Sequence, residues 1–522
     1  MDNAPALYAT AWAVLPPLIA IVLALITKEV YSSLFLGVLT GAILYAGADF
    51  DGILNHLLYE EVGESKFGII AALSDSWNVG ILIFLVVLGI IVALMNLSGG
   101  SKAFGGWALK HVKSRVAAEI ATVLLGIIIF VDDYFNCLTV GSVMKPVTDE
   151  FRVSRAKLAY IIDATAAPVC IIAPVSSWAA AVSSFAGEGQ GINLFIKCIP
   201  YNFYALFTLV MMFSLIFMKF DYASMARFER NAIENGDLFT VADENASNAD
   251  AADLGSDKGI VLDLAFPVLV LVISCVLGMI YTGGFFDGTG FVTSFSDSDA
   301  SIGLSMGGLV ALIIIIIYYL IRRTVAFKDL MGCIPEGMKA MSSPILVLTL
   351  AWTLKSMTDS LGLADYVSGL VEGMQGATVG IIPAVLFLIA CVLAFASGTS
   401  WGTFGILIPI GLAITESHPE LSTPIIAACM AGAVYGDHCS PISDTTIMAS
   451  AGANCNHVSH VSTQLPYATT VAVVSAISYV IAGFTSSPVI PLIVGVVLLI
   501  GTLFALKNHT SSYKAPDAPI GK

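Results

Sequence analysis

Charged side chains are scarce in this chain. Asp, Glu, Lys and Arg make up only 12% of its 522 residues, whereas 57% are hydrophobic. Soluble globular domains carry about 25% charged residues, and the mean hydropathy here is +0.88. The shortage of charge therefore argues against a soluble domain and predicts a protein whose solvent is the lipid bilayer.

Other features that are missing narrow the function. The sequence has no Gly-x-x-x-x-Gly-Lys-Ser/Thr loop, which argues against a pump driven by ATP. Its nine cysteines occur singly, without a Cys-x-x-Cys pair, and this indicates buried thiols instead of a disulfide framework or a zinc site. Lys and Arg number 23 against 38 Asp and Glu, so no nucleic-acid partner is expected. Neither an enzyme activity nor an organic cofactor is predicted.

Long apolar runs, in contrast, are abundant. They approach the roughly 20 residues that a helix needs to cross the hydrocarbon layer. The first run has no basic residue before it and no cleavage site after it, so we expect a retained helix and not a signal peptide. The sequence thus predicts an all-α polytopic protein of the cell (inner) membrane. Examples of the runs are Val14–Ile26, Ile81–Leu97, Leu264–Ile280, Leu309–Ile321 and Val489–Leu506.

A hydrophilic stretch, Asp221–Lys258, lies between two halves that share an ordered set of motifs. It has too little apolar content to fold by itself, so residues 221–259 are predicted to be an acidic cytoplasmic linker. Residues 1–220 and 260–485 are predicted to be repeats, followed by an extra transmembrane helix and a cytoplasmic tail over 486–522. The recurring motifs are Leu94–Gly100 with Ser356–Gly362, Thr139–Pro146 with Thr403–Pro409, and Ala173–Ser176 with Ser440–Ser443.

The positions of Lys and Arg predict the orientation of the halves. Clusters around Lys110, Arg155, Arg227 and Arg322 indicate cytoplasmic loops, because positive residues concentrate on that side. The amino terminus is then outside and the carboxyl terminus is cytoplasmic, with about five crossings and one re-entrant hairpin in each half. An odd number of crossings inverts the second repeat. Inverted repeats with unwound helices are typical of secondary transporters, which bind their substrates where the repeats meet.

Two segments in each half interrupt the apolar pattern: Val131–Asn136, Asp163–Trp178, Ser397–Thr403 and Gly436–Thr446. Their Pro and Gly residues unwind helices and free backbone carbonyls, which lipid cannot satisfy but a cation or a water-filled cavity can. Carboxylates and hydroxyls add the oxygen ligands that hard cations prefer. The predicted ion- or substrate-binding residues are Asp132, Asp133, Asn136, Asp163, Thr165, Ser176, Ser177, Ser397, Thr399, Ser400, Asp437, Ser440, Ser443, Asp444 and Thr445.

Some of these residues are also candidates for proton coupling. A carboxylate inside a bilayer is costly and usually faces a cavity, where it can exchange a proton against a cation. The alternative for any single acid is a helix cap. A histidine in this setting could relay a proton or make a structural hydrogen bond. The candidates are Asp132, Asp133, Asp163, Asp437, His438 and Asp444.

Two weaker features carry alternatives. His457 and His460 have helical spacing for a metal, but without a third ligand a helix end is the preferred interpretation. Trp178 and Trp401 follow polar breaks and could line a pocket for an organic substrate, although packing against a hairpin is the commoner use of tryptophan.

The segments Phe130–Tyr134 and Gly436–Thr446 resemble the NhaC family of Na+/H+ antiporters, within the ion transporter superfamily. The resemblance extends over nearly the whole chain and implies sodium as the coupling ion and a possible homodimer. Superfamily members carry Ser-Asn-Thr-like sodium motifs at their hairpin tips. Ser397–Thr399 and Ser443–Thr445 approximate that pattern, with Gly or Asp in place of Asn. The resemblance thus implies a sodium site at a subset of Asp163, Ser397, Thr399, Ser443 and Asp444.

Three functions remain open from the sequence. Na+/H+ antiport by alternating access is favoured by the carboxylates in broken helices and by the resemblance. Na+-coupled transport of a small amino or organic acid, by symport or exchange, is favoured by the Ser/Thr-rich breaks, the two tryptophans and the diversity of the family. A channel is disfavoured, because the polar residues gather in a few breaks and do not form a continuous pore.

Overall fold

The computed structural model describes residues 7–27, 29–47, 49–62, 65–186, 190–240, 256–296, 298–363, 365–366, 377–441 and 443–509. These residues are mostly helical, which confirms the predicted all-α multi-span class. A short antiparallel hairpin departs from it, in which β1 (Glu60–Val62) pairs with β2 (Ser65–Phe67).

Helices of the first half precede residue 220. They are α1 (Leu15–Thr27), α2 (Val30–Ala46), α3 (Phe50–Leu58), α4 (Ile69–Ser74), α5 (Ser76–Ser98), α6 (Gly100–His111), α7 (Arg115–Ile128), α8 (Asp133–Glu150), α9 (Arg155–Thr165), α10 (Ala167–Cys170), α11 (Ser177–Ser183), α12 (Gly191–Cys198) and α13 (Phe203–Met218).

The remaining helices begin with one that follows the first half directly. They are α14 (Ala223–Asn235), α15 (Leu262–Thr282), α16 (Phe291–Ser296), α17 (Ala300–Arg322), α18 (Phe327–Ala340), α19 (Ser342–Ser360), α20 (Ala377–Gly380), α21 (Ile382–Ser397), α22 (Ser400–Ser417), α23 (Ser422–Cys439), α24 (Asp444–Ala453), α25 (His457–Thr485) and α26 (Val489–His509).

Several of these helices are suited to a bilayer. Within the described residues, α5, α15, α17, α25 and α26 are each long and apolar enough to cross a membrane. A sixth span results if α12 and α13, which meet at a bend of 46°, are taken together. The chain is therefore a multi-pass membrane protein, whereas the predicted number of crossings and their orientation stay predictions.

The four polar segments do break helices, as predicted. The backbone is interrupted between α7 and α8, between α9 and α11, between α21 and α22, and between α23 and α24. Gly398 closes α21 at a φ of +69°, a left-handed conformation that favours glycine. Each broken end leaves backbone groups that need partners within the protein.

Helices of the two halves pack on one another. The long helix α5 contacts α15, α17 and α18 of the second half, and α19 contacts α1 and α2 of the first. Near the breaks, α8 meets α24 so closely that a Cβ on Gly141 would lie 2.4 Å from the carbonyl carbon of Gly452. The two sets of breaks therefore lie in one shared core, although inversion of the second half stays a prediction.

The first part of the predicted linker is folded. Helix α14 packs on α9 and α25 through buried residues that include Met225 and Phe228. Its Glu229 accepts a hydrogen bond from the backbone N–H of Ser154, 2.9 Å away, and pairs with Arg115. The segment is thus ordered by packing on other helices. Residues 241–255 of the predicted linker lie outside the described residues.

Candidate functional site

A buried carboxylate lies at the carboxyl-terminal end of α9. Asp163 is only 2% exposed, and its Oδ2 atom accepts a hydrogen bond of 2.7 Å from the side-chain amide of Gln464. The Nε2 atom of His460 lies 3.2 Å from the same oxygen, and that of His438 lies 3.9 Å from it. Gln464 also donates to the backbone carbonyl of His438. One carboxylate therefore joins α9, α23 and α25 through two imidazoles and an amide.

Helix α13 orients one of these imidazoles. The Tyr204 hydroxyl lies 2.7 Å from His438 Nδ1 inside the core. That contact directs the other ring nitrogen, Nε2, toward Asp163. His438 thus makes a structural hydrogen bond with Tyr204 and also faces the carboxylate, while a role in proton relay stays a prediction.

The break between α7 and α8 adds two more buried carboxylates. Asp133 Oδ2 accepts a hydrogen bond of 3.0 Å from the indole N–H of Trp178, and Oδ1 accepts one of 3.1 Å from the backbone N–H of Tyr134. Asp133 therefore serves in part as the helix cap that the sequence left as an alternative. Asp132 precedes it and is 1% exposed.

Asn136 connects the broken helix ends. Its side-chain N–H groups donate to the backbone carbonyls of Gly126, Ile129 and Thr165 at 2.7, 3.0 and 3.1 Å. These carbonyls lie at or near the ends of α7 and α9. The amide nitrogen thus has a structural role, while the Oδ1 atom is buried without a hydrogen-bond partner among the described residues.

We expect Asn136→Ala to lower the free energy of unfolding by about 2 kcal/mol, because buried carbonyls lose a donor. The measurement is thermal unfolding of the purified protein in detergent. The matched control is Asn231→Ala, since Asn231 is partly exposed and its side-chain amide donates to the nearby Asp237 and Thr240 and accepts from Asn235. Equal midpoints for the two variants would contradict the structural role of Asn136.

The break between α23 and α24 presents the fourth buried carboxylate. Thr445 donates a hydrogen bond of 3.2 Å to Asp437 Oδ2, and its hydroxyl lies 3.1 Å from that of Ser443. The Cys137 thiol, on α8, contacts the backbone carbonyl of Thr445 at 3.6 Å. Asp437 is also linked to Asp163 through the residue that follows it, because Gln464 donates both to Asp163 and to the backbone carbonyl of His438, so carboxylates of both halves lie near one another in the core.

Several of the predicted hydroxyl ligands also make hydrogen bonds that stabilise helix ends. Ser176, Thr399 and Ser443 accept hydrogen bonds from backbone N–H groups at the starts of α11, α22 and α24. Thr165 donates back to the carbonyl of Ile161 at 2.8 Å. Ser177, Ser400 and Ser440 are buried in the breaks. Ser397 and Asp444 have described backbones, but their side chains lie outside the described part of the structure.

The weaker sequence features are resolved by the structure. His457 starts α25 and lies 2.7 Å from the Pro441 carbonyl, whereas His460 faces Asp163, so the two imidazoles have different partners. His457 is the first residue of α25, in agreement with the preferred interpretation of a helix end, whereas His460 lies one turn further along. No cluster of metal-ligating residues occurs among the described residues. Trp178 is fully buried, with its ring 5.7 Å from that of Trp401, which confirms the packing role.

Comparison with known proteins gives the family. Residues 187–484, more than half of the chain, match the Na+/H+ antiporter family. The chain belongs to the Na+/H+ antiporter family. It is therefore a membrane transporter and not an enzyme, and its resemblance to Na+/H+ antiporters is confirmed.

Individual relatives are more varied. An uncharacterized protein of Haemophilus influenzae is 38% identical over 96% of both chains. The malate-2H(+)/Na(+)-lactate antiporter of Bacillus subtilis is 28% identical over 31% of this chain and 35% of its own. The solved structure of Neisseria gonorrhoeae MtrF, from a class of antimetabolite efflux pumps, covers 91% of this chain and 88% of its own, at 13% identity and a TM-score of 0.43. At that TM-score the likeness carries no argument about function.

The match to the Na+/H+ antiporter family includes residues at the centre that were not singled out as ligands. The sequence patterns do not point to Gln464, and they indicate His460 only as a possible metal ligand. Both lie on one face of the apolar helix α25, four residues apart, and this spacing was the available signal. Tyr204 had no such signal, because its contact with His438 joins residues that are 234 positions apart.

Proposed function

We propose that the chain exchanges sodium for protons by alternating access, and that Asp163 is the group at which the two ions compete. The observation that carries the proposal is the buried position of Asp163 between His438, His460 and Gln464. Across the described residues, no lysine or arginine lies within ion-pair distance of it. A carboxyl group in this position must either be protonated or have its negative charge balanced by a cation, which can be a bound ion or a protonated histidine.

Sodium requires several oxygen ligands, and the core contains suitable atoms. Asn136 Oδ1 and Ser177 Oγ are buried oxygens without hydrogen-bond partners in the described structure. Asp132, Asp133 and Asp437 add carboxylates from two other breaks. The Ser397–Thr399 and Ser443–Thr445 segments, with Asp444, complete the set of candidates. We propose that sodium binds a subset of these groups together with Asp163.

The exchange then follows from competition. Sodium bound among the carboxylates stabilises their charged forms and displaces protons, whereas protonation of Asp163 removes the charge that holds sodium. His460 is placed to pass a proton to or from the carboxylate, since its Nε2 atom lies within hydrogen-bond distance. Movement of the halves would expose the site to one side of the membrane at a time.

The test of the proposed function is ion exchange by the purified protein in liposomes. A pH-sensitive dye inside the vesicles should report a pH change when a sodium gradient is applied, and no change with potassium. Empty liposomes and Asp163→Asn are the controls. A sodium gradient that produces no pH change would overturn sodium/proton antiport.

A second candidate, exchange or symport of a small organic or amino acid, is favoured by a cavity of about 970 Å³. Its lining contains charges of both signs and aromatic surface that could contact such a solute. The residues are Lys66, Asp75, the ion pair of Lys355 with Asp359 at 2.6 Å, Trp77 and Trp352. The relative from Bacillus subtilis moves malate and lactate. Uptake of labelled malate, lactate or an amino acid under the same sodium gradient, without a pH change from sodium alone, would favour this candidate.

The proposed inverted repeat requires the segment between the halves to be cytoplasmic. In a background without accessible thiols, Ser247→Cys should resist an impermeant maleimide applied to intact cells. Thr289→Cys, in the loop after α15, should react, since that loop is expected outside. Labelling of Ser247→Cys from outside, with the cells intact, would contradict the orientation and the inversion of the halves.

A further inference from the structure

The interface between α9 and α25 contains polar groups well away from Asp163. On α9, Lys157, Tyr160 and Asp163 recur every three residues, and all three are buried. On α25, His460, Gln464 and Tyr467 recur at spacings of four and three. Residues at these spacings share a helix face. The two polar faces contact each other at Asp163 and again near Lys157, about 9 Å away along α9.

The second meeting point is a buried ion pair. Lys157 Nζ lies 2.7 and 2.8 Å from the two carboxylate oxygens of Asp221, and both side chains are at most 4% exposed. The Tyr467 hydroxyl donates to Asp221 Oδ1 at 2.5 Å. Between the two points, the rings of Tyr160 and Tyr467 pack edge to face at 5.0 Å. Asp221 thus joins α9 to α25 at the start of the segment between the halves.

Stability alone explains this pair poorly. Desolvation of two charges offsets most of their attraction, and apolar replacements of buried pairs are often neutral or stabilising. The best-supported role of such a pair is to specify how two helices align. A slide of α9 by one residue would move Asp163 by about 1.5 Å along the axis, enough to break a hydrogen bond of 2.7 Å to Gln464.

We infer that Lys157 and Asp221, with Tyr467, are positioning residues that fix the register of α9 against α25 and so hold Asp163 between His460 and Gln464. The inference rests on the proposed function, because it concerns the geometry of the same sodium site. It assigns to Asp221, whose partner Lys157 lies about 9 Å along α9 from Asp163, a role in sodium affinity that does not require contact with sodium.

The test compares sodium affinity with stability in four purified proteins. They are the wild type, Asp221→Asn, the double variant Lys157→Met/Asp221→Leu, and the control Asp263→Asn. Asp263 is a matched residue, since it is fully buried and accepts hydrogen bonds from Tyr318 and Arg322 at the end of another helix. Sodium-dependent thermal stabilisation gives the affinity, and liposome exchange gives its KM, maximal rate and pH profile.

We expect Asp221→Asn to weaken sodium binding about tenfold or more, because small displacements of reacting groups have effects of that size. Asp263→Asn should leave the affinity within about twofold of the wild type. The double variant separates the effect on stability from the effect on positioning. Its thermal stability should return to near the wild-type value while its sodium affinity stays weak.

Recovery of sodium affinity together with stability in the double variant would show that the pair is only structural and would overturn the inference. Equal effects of Asp221→Asn and Asp263→Asn would overturn it as well. If the wild type itself shows no sodium-dependent stabilisation, the proposed function fails and the inference fails with it. The wild-type measurement therefore shows whether the proposed function has failed or only the positioning role of Lys157 and Asp221.

Discussion

Asp163→Asn is expected to reduce sodium-dependent exchange in liposomes about 100-fold or more, because removal of a buried group's charge partner costs several kcal/mol. Asparagine keeps the size of the side chain, and its oxygen can still accept hydrogen bonds from Gln464 and His460. It cannot carry the negative charge that balances a cation. The variant should therefore insert and fold normally, and its thermal midpoint should no longer rise with sodium.

The control for this loss is Asp263→Asn, which neutralises a buried carboxylate that lies outside the carboxylate cluster. It should retain sodium-dependent stabilisation and exchange. Full activity of Asp163→Asn would remove this residue from the transport site and leave the cluster at Asp132, Asp133 and Asp437 as the alternative.

Asp437→Asn is expected to weaken the apparent sodium affinity about tenfold to 100-fold. Like Asp163→Asn, it removes a negative charge that can balance sodium, but from the second half of the chain. Thr445→Val is the comparison, because it removes the hydrogen bond to Asp437 Oδ2 and keeps the carboxylate. We expect that variant to lose no more than about tenfold, the lower end of the value of a hydrogen bond to a charged group. Sodium titrations of thermal stability measure both.

A larger effect of Thr445→Val than of Asp437→Asn would contradict a charge-based role for Asp437. It would indicate that the break between α23 and α24 affects sodium binding through its backbone conformation and not through the charge of Asp437. An unchanged sodium affinity in both variants would restrict the site to the first half.

The sequence predicted the helix breaks well for a physical reason. Carboxylates, Pro and Gly inside apolar segments are rare and costly in lipid, so each such cluster indicates a position where the helix is interrupted. Asp132, Asp163 and Asp437 could therefore be proposed before their contacts were known. Gly398, with its left-handed backbone, is one residue whose type specifies a helix end directly.

The partners of these acids were harder to predict. The contact of Asp163 with Gln464 joins residues 301 positions apart, and no local pattern fixes which turn of α25 faces α9. The hydrogen bonds of the hydroxyl groups were also hard to predict. A serine at a helix break can cap a helix as readily as it can bind an ion. The Ser176 hydroxyl, for example, donates to the backbone carbonyl of Cys170 and accepts from the backbone N–H of Ala179.

The packing of the segment between the halves was missed for a related reason. Its composition is polar overall, but Met225 and Phe228 lie on one face of α14 and become buried on α9 and α25. Average composition does not detect a short amphipathic helix inside a hydrophilic stretch. Asp221 gave no signal either, since a single acid at the end of an apolar helix is common on cytoplasmic surfaces.

Competition between sodium and protons is the central claim, and one titration tests it most directly. Sodium-dependent stabilisation of the purified protein is measured from mildly acid to mildly alkaline pH, with potassium as the control for ionic strength. If both ions use Asp163, the apparent sodium affinity must fall as the pH falls, by up to about tenfold per pH unit for one exchanged proton, and must level off at high pH. An affinity that stays constant over this range would show that the ions do not share a site, and would contradict the account.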